Sequence, residues 1–169
     1  FAFLHVQEHG ATSVHYFDFI NTATLKIPFD FKVDALSSLF LLVITGVGSL
    51  IHLYSTAYMK EESSAHYARY FAYLNLFIFS MLLLVLGDNY VIMFIGWEGV
   101  GLCSYLLIGF WYTNSNYASA AKKAFVMNRI GDLGFLLGVF LIFDTFGSVE
   151  FAKIFPQAAS MMPGAGILT

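Results

Sequence analysis

Charged side chains are scarce in this 169-residue sequence: Asp, Glu, Lys and Arg make up 11% of it, and the formal net charge is −3. A typical soluble chain carries about 25% charged residues and about 45–50% apolar residues, whereas this one is 59% apolar. So few charges would not keep a globule of this composition soluble, and the apolar content also excludes intrinsic disorder. The mean hydropathy of +0.73 therefore predicts a membrane protein.

The sequence also lacks the patterns of most cofactor and nucleic-acid sites. Its single cysteine, Cys103, excludes a disulfide or an iron–sulfur cluster built from this chain alone, and a small buried apolar role is the simplest for it. A glycine-rich phosphate loop, a haem ligand pair and a basic patch are all missing, so we expect no cofactor, no metal and no nucleic-acid partner. The histidines of the polar flanks are not spaced as metal ligands: His5, His9, His15 and His66.

Four stretches are long and apolar enough to cross a bilayer as helices, which takes about 20 residues each. They lie at about 33–58, 70–86, 90–110 and 121–143. The predicted fold is an all-α membrane protein, part of a larger antiporter-like helix bundle, with these four spans in a membrane domain over 33–143. An extramembrane or interfacial segment at 1–32 precedes this domain, and an interfacial segment at 144–169 follows it.

The flanks and the basic residues give further expectations about topology. Alternation between Val14 and Val33 predicts short extended structure, and 148–159 predicts an amphipathic helix that ends near Pro156. No pattern is visible at 161–169.

Basic residues at the span ends predict which side faces the cytoplasm or matrix. That side carries Lys60, Arg69, Lys122 and Lys123, and the other side carries Lys26, Lys32 and Lys153.

Glu98 lies in the third predicted span, about eight residues or about 12 Å from the Tyr90 end, and so near the middle of the membrane. An ionisable residue at that depth costs about 2.5–3.5 kcal/mol on insertion and is a functional candidate by default. A lone acid there stays protonated, whereas a nearby cation favours the carboxylate. This dependence on a partner is typical of a proton relay, and the alternative is a neutral structural acid. The flanking glycines would let another helix approach closely.

Arg129 and Asp132 lie three residues apart in the fourth predicted span, so they share one helix face. Measured from the Lys122 end, Arg129 lies about 10 Å deep, Asp132 about 15 Å and Glu98 about 18 Å, which places Asp132 nearer to Glu98 than Arg129 is. The two residues are either a self-neutralised pair that holds helices together or a polar stepping point for protons.

Three further residues are candidates for a proton path. His52 lies near the end of the first span, where it either shuttles protons at neutral pH or packs as a hydrogen-bonded histidine. Lys122 and Lys123 are interfacial anchors, or one of them faces inward and controls proton entry.

Three stretches resemble one family in order and spacing. They are VDALSSL at 33–39 leading into TGVGSLIHLYS at 45–55, FIGWEGVGLCSYLLIGFW at 94–111, and AAKKAFVMNRIGD at 120–132. Together they resemble the NuoL-type antiporter-like subunit, NADH dehydrogenase subunit 5, of the proton-pumping NADH:quinone oxidoreductase (respiratory complex I). The resemblance extends over about 31–144, and the run WEGVGLCSYLLIGFW is specific to it.

The resemblance implies a proton-translocating subunit of the mitochondrial inner membrane or the bacterial plasma membrane. Its partners would be lipids and other membrane-arm subunits of complex I, and NADH, FMN, iron–sulfur clusters and quinone would be bound in other subunits. In that family the glutamate that matches Glu98 belongs to a proton channel and pairs with a lysine of a later helix. The residues that match Arg129 and Asp132 belong to the charged network around it.

Two other functions stay open at this stage. The large subunit of an Mrp-type Na⁺/H⁺ antiporter shares the same helix core, and a purely structural membrane subunit is the third alternative. Since the chain starts at Phe1 and lacks the later, lysine-bearing helices of the family, we expect a fragment or a subunit assembled from separate chains.

Overall fold

The computed structural model describes residues 2–22 and 25–160. In chain order its elements are α1 (Ala2–His9), β1 (Thr12–Asn21), β2 (Lys26–Val33), α2 (Ala35–Tyr58), α3 (Ser64–Leu86), α4 (Tyr90–Ile108), α5 (Ser115–Phe146) and α6 (Phe151–Ser160). Four of these helices, α2 to α5, are long and apolar enough to cross a membrane. The predicted helical membrane architecture is therefore confirmed, with a β-hairpin ahead of the first span.

Two of the four spans begin earlier than the sequence predicted. Helix α3 begins at Ser64 rather than at 70, and α5 runs from Ser115 to Phe146 rather than over 121–143. The side chains of Ser63 and Asn114 cap these helices by accepting hydrogen bonds from backbone N–H groups of the first turn. The added turns are polar, so hydropathy did not include them. At 32 residues α5 is about 48 Å long, more than the about 30 Å of hydrocarbon that it has to cross.

The extended structure and the helix predicted for the flanking segments are both present, but the predicted end of the helix was wrong. The extended structure expected between Val14 and Val33 is the antiparallel hairpin of β1 and β2. Helix α6 continues to Ser160 instead of ending near Pro156. Proline removes one backbone donor, and the burial of Ile154 holds the helix in place around it. The tail at 161–169 lies outside the described residues.

The hairpin is joined to the tight turn between α3 and α4. The backbone N–H of Asp88 donates to the carbonyl of Asp30 at 3.1 Å. The fully buried Asn89 donates from its side chain to the carbonyl of Pro28 at 2.8 Å. The Oδ1 of Asn89 also accepts from the first N–H groups of α4 and caps this helix. The starting point of α4 is therefore fixed from outside the membrane.

Helices α3 and α4 approach each other at two glycines. A Cβ added at Gly96 would lie 2.3 Å from the backbone nitrogen of Leu84, and one added at Gly99 would lie 2.5 Å from the Ser80 hydroxyl. The close approach expected around Glu98 is thus confirmed, and the approaching helix is α3. Cys103 on the same helix is fully buried, in agreement with the small apolar role predicted for it.

Candidate functional site

Glu98 and Arg129 form a direct ion pair between two membrane-spanning helices. The contact joins Nη1 of Arg129 on α5 to a carboxylate oxygen of Glu98 on α4, and the two side chains are 36% and 25% exposed. The guanidinium of Arg129 thus places a positive charge in direct contact with the carboxylate. The cation on which the proton affinity of Glu98 was expected to depend is therefore present within this chain.

The depth comparison made from the sequence was wrong, because it placed Asp132 nearer in depth to Glu98 than Arg129, whereas Arg129 makes the contact. Helix α4 ends at Ile108 and α5 begins at Ser115, six residues before the predicted start of the span. Measured along each helix from this loop, Glu98 lies about 15 Å away, Arg129 about 21 Å and Asp132 about 26 Å. The early start of α5 thus brings Arg129 closer to the level of Glu98 than Asp132 is.

Asp132 completes a charged cluster, in which it contacts two partners. One carboxylate oxygen lies 3.5 Å from Nη1 of Arg129, and the other accepts a hydrogen bond of 2.7 Å from the indole nitrogen of Trp97. The Asp132 side chain is 8% exposed, the lowest exposure among the three charged groups of the cluster. Arg129 is therefore shared between two carboxylates rather than self-neutralised with Asp132. Two carboxylates and one guanidinium carry a formal net charge of −1, which one added proton would neutralise.

Trp97 is the part of this cluster that the sequence reasoning did not single out. Its ring stacks on that of Phe135, with centroids 6.0 Å apart and an interplanar angle of 14°, while its N–H bonds to Asp132. The available signal was its position directly before Glu98 in an apolar helix, since an indole N–H in apolar surroundings needs an acceptor. Arg129 is also held by an aromatic ring, with its Cζ 4.5 Å from the centroid of Phe125.

A cleft of about 550 Å³ lies beside the cluster, mainly between α4 and α5, with Leu84 of α3 also at its wall. Its polar lining comes from Ser104, Asn128 and Asp132, and sequence reasoning did not identify the first two. A cleft with several polar groups can hold water, which would hydrogen-bond to the Asp132 carboxylate at its wall. Within residues 2–22 and 25–160, no group of three His, Cys, Asp or Glu side chains is placed to hold a metal ion.

The other three predicted residues lie away from the cluster. His52 lies where α2 packs on α3, and its Nδ1 is 2.8 Å from the carbonyl of Gly48. Its Nε2 is buried and has no hydrogen-bond partner among the described residues. Lys122 lines a cavity of about 210 Å³ with Arg69 and Tyr105, near the loop end of α5. Lys123 does not line this cavity, and the structure therefore does not bring these three residues into contact with Glu98.

Outside the membrane-spanning segments, another carboxylate accepts a hydrogen bond from an indole N–H. Trp111 donates a hydrogen bond of 2.8 Å to Oε1 of Glu62 in the loop between α2 and α3, and His66 lies 3.0 Å from Oε2. Hydrogen bonds from His66 and then from Trp111 lower the pKa of Glu62 below its ordinary value. The chain thus contains a second tryptophan–carboxylate pair, at the membrane surface.

The sequence matches two family models that together extend over most of the chain. Residues 19–71 match the N-terminus of chain 5 of NADH-ubiquinone oxidoreductase (complex I). Residues 87–168, which include the Glu98 cluster, match the transmembrane model of NADH:quinone oxidoreductase and Mrp antiporters.

Similar proteins come from both bacteria and mitochondria. NADH-quinone oxidoreductase subunit L of Mycobacterium tuberculosis is 56% identical over 139 residues, which cover 82% of this chain and 22% of that protein. The subunit L of Pseudomonas aeruginosa is 46% identical over 156 residues, or 92% of this chain and 25% of that protein. NADH-ubiquinone oxidoreductase chain 5 of Rhizopus stolonifer is 49% identical over 146 residues, or 86% of this chain and 22% of that protein.

The chain spans about a fifth to a quarter of the length of the curated relatives that it matches. The two family models match α2, α4 and α5 over their whole length and the first part of α3. Together with these relatives, the four helices identify an integral membrane protein.

Proposed function

This chain belongs to the subunit L or chain 5 family of NADH:quinone oxidoreductase, and we propose that it forms part of a proton channel in the membrane arm of complex I. Its partners would be lipids and the other membrane-arm subunits, in the bacterial plasma membrane or the mitochondrial inner membrane. NADH, FMN, the iron–sulfur clusters and quinone would carry out electron transfer in other subunits. The chain itself would move protons and carry no redox chemistry.

The observation that carries this proposal is the ion pair of Glu98 and Arg129 between two apolar, membrane-length helices. Glu98 would bind and release the transported proton, and Arg129 would be the cation whose distance decides whether Glu98 is charged. Asp132 would offer a second position for the proton next to the cleft. Ionisable groups are rare within membrane spans, and those that occur commonly mark ion or proton paths.

The ends of the path are proposed from residues farther out. Lys122 lies at the cavity beside Arg69 and Tyr105, on the side that the basic residues assign to the cytoplasm or matrix. Its charge would influence the entry of protons there, with Lys123 as an outer anchor. His52, which has a buried ring nitrogen without a partner among the described residues, would belong to a separate branch on the α2 side.

The energies involved are of the right size for such a mechanism. Moving one elementary charge across a membrane costs about 2.3 kcal/mol for each 100 mV of potential. Two unit charges about 4 Å apart interact by about 4 kcal/mol at an effective dielectric constant of about 20. A movement of Arg129 away from Glu98 would therefore change the free energy of the bound proton by enough to drive one proton across.

Replacement of Glu98 by glutamine tests the proposal in the complete subunit, within complex I reconstituted in vesicles. Glu98→Gln removes the titratable group and keeps the size and a hydrogen-bonding oxygen, so we expect assembly to persist and most proton pumping per electron pair to be lost. Glu150→Gln is the matched control, because Glu150 pairs with Lys153 outside the spans. Normal pumping by the Glu98 variant would refute the proposal.

A second candidate function follows from the shared family model, which names Mrp antiporters as well. Such a protein would exchange Na⁺ for H⁺ without NADH. Proton flux into vesicles that depends on sodium and needs no electron donor would favour this function. A structural subunit would instead keep full transport when Glu98→Gln, Arg129→Met and Asp132→Asn are combined.

A further inference from the structure

We propose that Trp97 is a positioning residue of the proton site, whose indole N–H holds Asp132 so that Arg129 remains with Glu98. Trp97 would not touch Glu98, the acid that binds and releases the transported proton. It would act through Asp132, by deciding which of two carboxylates receives the arginine. The inference rests on the proposed function of the Glu98 cluster and goes beyond it by naming what sets the position of the cation.

The geometry joins four residues in a closed arrangement. Trp97 and Glu98 are consecutive on α4, and Arg129 and Asp132 are three apart on one face of α5. Two contacts cross between the helices, one from Arg129 to Glu98 and one from Trp97 to Asp132. Each carboxylate thus has its own donor on the opposite helix.

The two contacts of Arg129 are unequal. It touches Glu98 directly, whereas its Nη1 lies 3.5 Å from Asp132, beyond the usual length of an N–H···O hydrogen bond. The remaining Asp132 oxygen is taken by Trp97 at 2.7 Å, the length of a strong hydrogen bond to a charged acceptor. Since Asp132 is nearly buried and already has a donor, it competes less strongly for the guanidinium.

The position of the indole is itself well determined. Its ring stacks on Phe135, one turn beyond Asp132 on α5, so the same helix carries both the stacking partner and the acceptor. Toward α3, Gly96 lies so close to the backbone of Leu84 that an added Cβ would be 2.3 Å from its nitrogen, so α4 also packs tightly on its other neighbour. An indole also has no proton to exchange at ordinary pH, so it can hold a carboxylate without competing for the transported proton.

Loss of the N–H would redirect the arginine. One buried oxygen of Asp132 would be left without a donor, and an unsatisfied charged acceptor is costly. Arg129 has only a short distance to move to satisfy it, and Glu98 would then lose its direct cation contact. We expect proton pumping per electron pair to fall about tenfold, the effect of one charge-assisted hydrogen bond, with the complex assembled and quinone reduction retained.

The test separates the N–H from the ring. Both variants are made in the complete subunit within complex I. Trp97→Phe removes the N–H and replaces the two-ring indole by a single ring. Site-specific replacement of Trp97 by 3-benzothienylalanine replaces the N–H with sulfur and keeps a ring system of the same shape. If Trp97 acts through its hydrogen bond, the isostere pumps as poorly as the phenylalanine variant. If the ring alone matters, the isostere restores pumping, and that result would overturn the inference.

The second tryptophan provides the matched control. Trp111 makes the same kind of indole-to-carboxylate bond, to Glu62, in an exposed loop outside the cluster. The same isostere at Trp111 should leave pumping unchanged. Should the Trp97→Phe variant fail to assemble, the isostere still gives a result, because it preserves the stacking on Phe135.

A parallel measurement of Glu98→Gln distinguishes failure of this inference from failure of the proposed function. Normal pumping in that variant would refute the proposed function, because it would show that Glu98 does not carry the transported proton. Lost pumping in Glu98→Gln together with normal pumping in the Trp97 isostere would keep the site and refute only the role of Trp97.

Discussion

Helix α4 meets its two neighbours in opposite ways. Toward α3 it presents Gly96 and Gly99, where the missing side chains allow backbone to lie against backbone. Toward α5 it presents Trp97 and Glu98, which reach across to Asp132 and Arg129 through one hydrogen bond and one ion pair. The first face is packed without space, and the second borders a cleft of about 550 Å³.

The contrast shows how one helix can pack closely on one side and contact a cation on a flexible side chain on the other. Close packing at Gly96 prevents α4 from shifting, because a packed interface has few alternative arrangements. On the other face, a guanidinium on a flexible stem can change partners without any movement of the backbone. The proton site proposed at Glu98 would need both properties, with Gly96 of α4 providing the close packing and Arg129 of α5 providing the flexible cation.

The largest expected effect is on the packed face, from Gly96→Ala. The new methyl group would lie 2.3 Å from a backbone nitrogen of Leu84, and a backbone atom of a packed helix cannot move aside. We expect a loss of about 3 kcal/mol or more, enough to prevent assembly. Native gel electrophoresis of membranes that contain the complete subunit would measure the assembled fraction.

Gly134→Ala on α5 is the matched control for that change. A methyl group there meets nothing within 4 Å among the described residues, so the variant should assemble normally. Alanine favours a helix over glycine by up to about 1 kcal/mol, which would raise stability slightly. Equal assembly of both alanine variants would contradict the close packing of α3 against α4.

The next largest effect is on the charged face, from Arg129→Met. Methionine keeps much of the stem and removes the cation, which leaves Glu98 and Asp132 together without a positive charge. We expect a loss of about 1.5–3 kcal/mol in the thermal stability of the complex, and loss of pumping. Thermal denaturation and proton flux in vesicles would measure the two effects separately.

A second substitution then sharpens this result. Adding Glu98→Gln to Arg129→Met removes the orphaned acid, so stability should recover in part while pumping stays lost. If stability fell further, the two residues would be stabilising the fold independently rather than as a pair.

A smaller effect is expected from Gly99→Ala on the packed face. Here the methyl group would lie 2.5 Å from the Ser80 hydroxyl, a side-chain atom that can rotate away at the loss of its hydrogen bond to the carbonyl of Leu76. We expect a cost of about 1–2 kcal/mol in thermal stability, less than at Gly96. Adding Ser80→Ala to the same chain should restore part of the lost stability, because it removes the hydroxyl that the methyl group meets. If stability is not restored, the methyl group clashes with another atom.

The membrane spans were largely predictable, because a bilayer requires long apolar stretches and the chain has four. The predicted first span, 33–58, differs from α2 by two residues at its start. The polar first turns of α3 and α5 were missed because hydropathy identifies the apolar residues that cross the membrane, and a helix can extend beyond them. Ser63 and Asn114, the caps of these helices, were the available signal.

The members of the charged cluster were predictable, but their pairing was not. Charge within apolar spans was enough to select Glu98, Arg129 and Asp132. The pairing depended on the relative height of two helices, and an error of six residues in the start of α5 exchanged the expected neighbours. Trp97 was overlooked because a neutral aromatic residue is ordinary in a membrane helix, and its single donor matters only once its acceptor is known.

The smallest effect concerns the start of α2, which lies on neither face of α4 and serves as a reference for stability alone. Asp34 caps this helix by accepting from the Ser37 N–H at 2.8 Å, and the Ser37 hydroxyl accepts from the Asp34 N–H at 2.8 Å. Asp34→Ala should cost about 1 kcal/mol in thermal stability and leave pumping per electron pair unchanged. A change in pumping would mean that the hairpin end of the spans takes part in transport.

The dependence of this cap on pH follows from the charge of Asp34. The hydrogen bond from the Ser37 backbone N–H lowers the pKa of Asp34, so its stabilisation is fully present above the ordinary carboxyl range and is lost as the pH falls through the lowered value. The stability difference between the unchanged chain and Asp34→Ala should therefore shrink in acid. Asp34→Asn keeps the accepting oxygen without the charge, so its difference from Asp34→Ala should not vary with pH. A constant difference for the natural aspartate as well would show that its negative charge adds nothing to the cap.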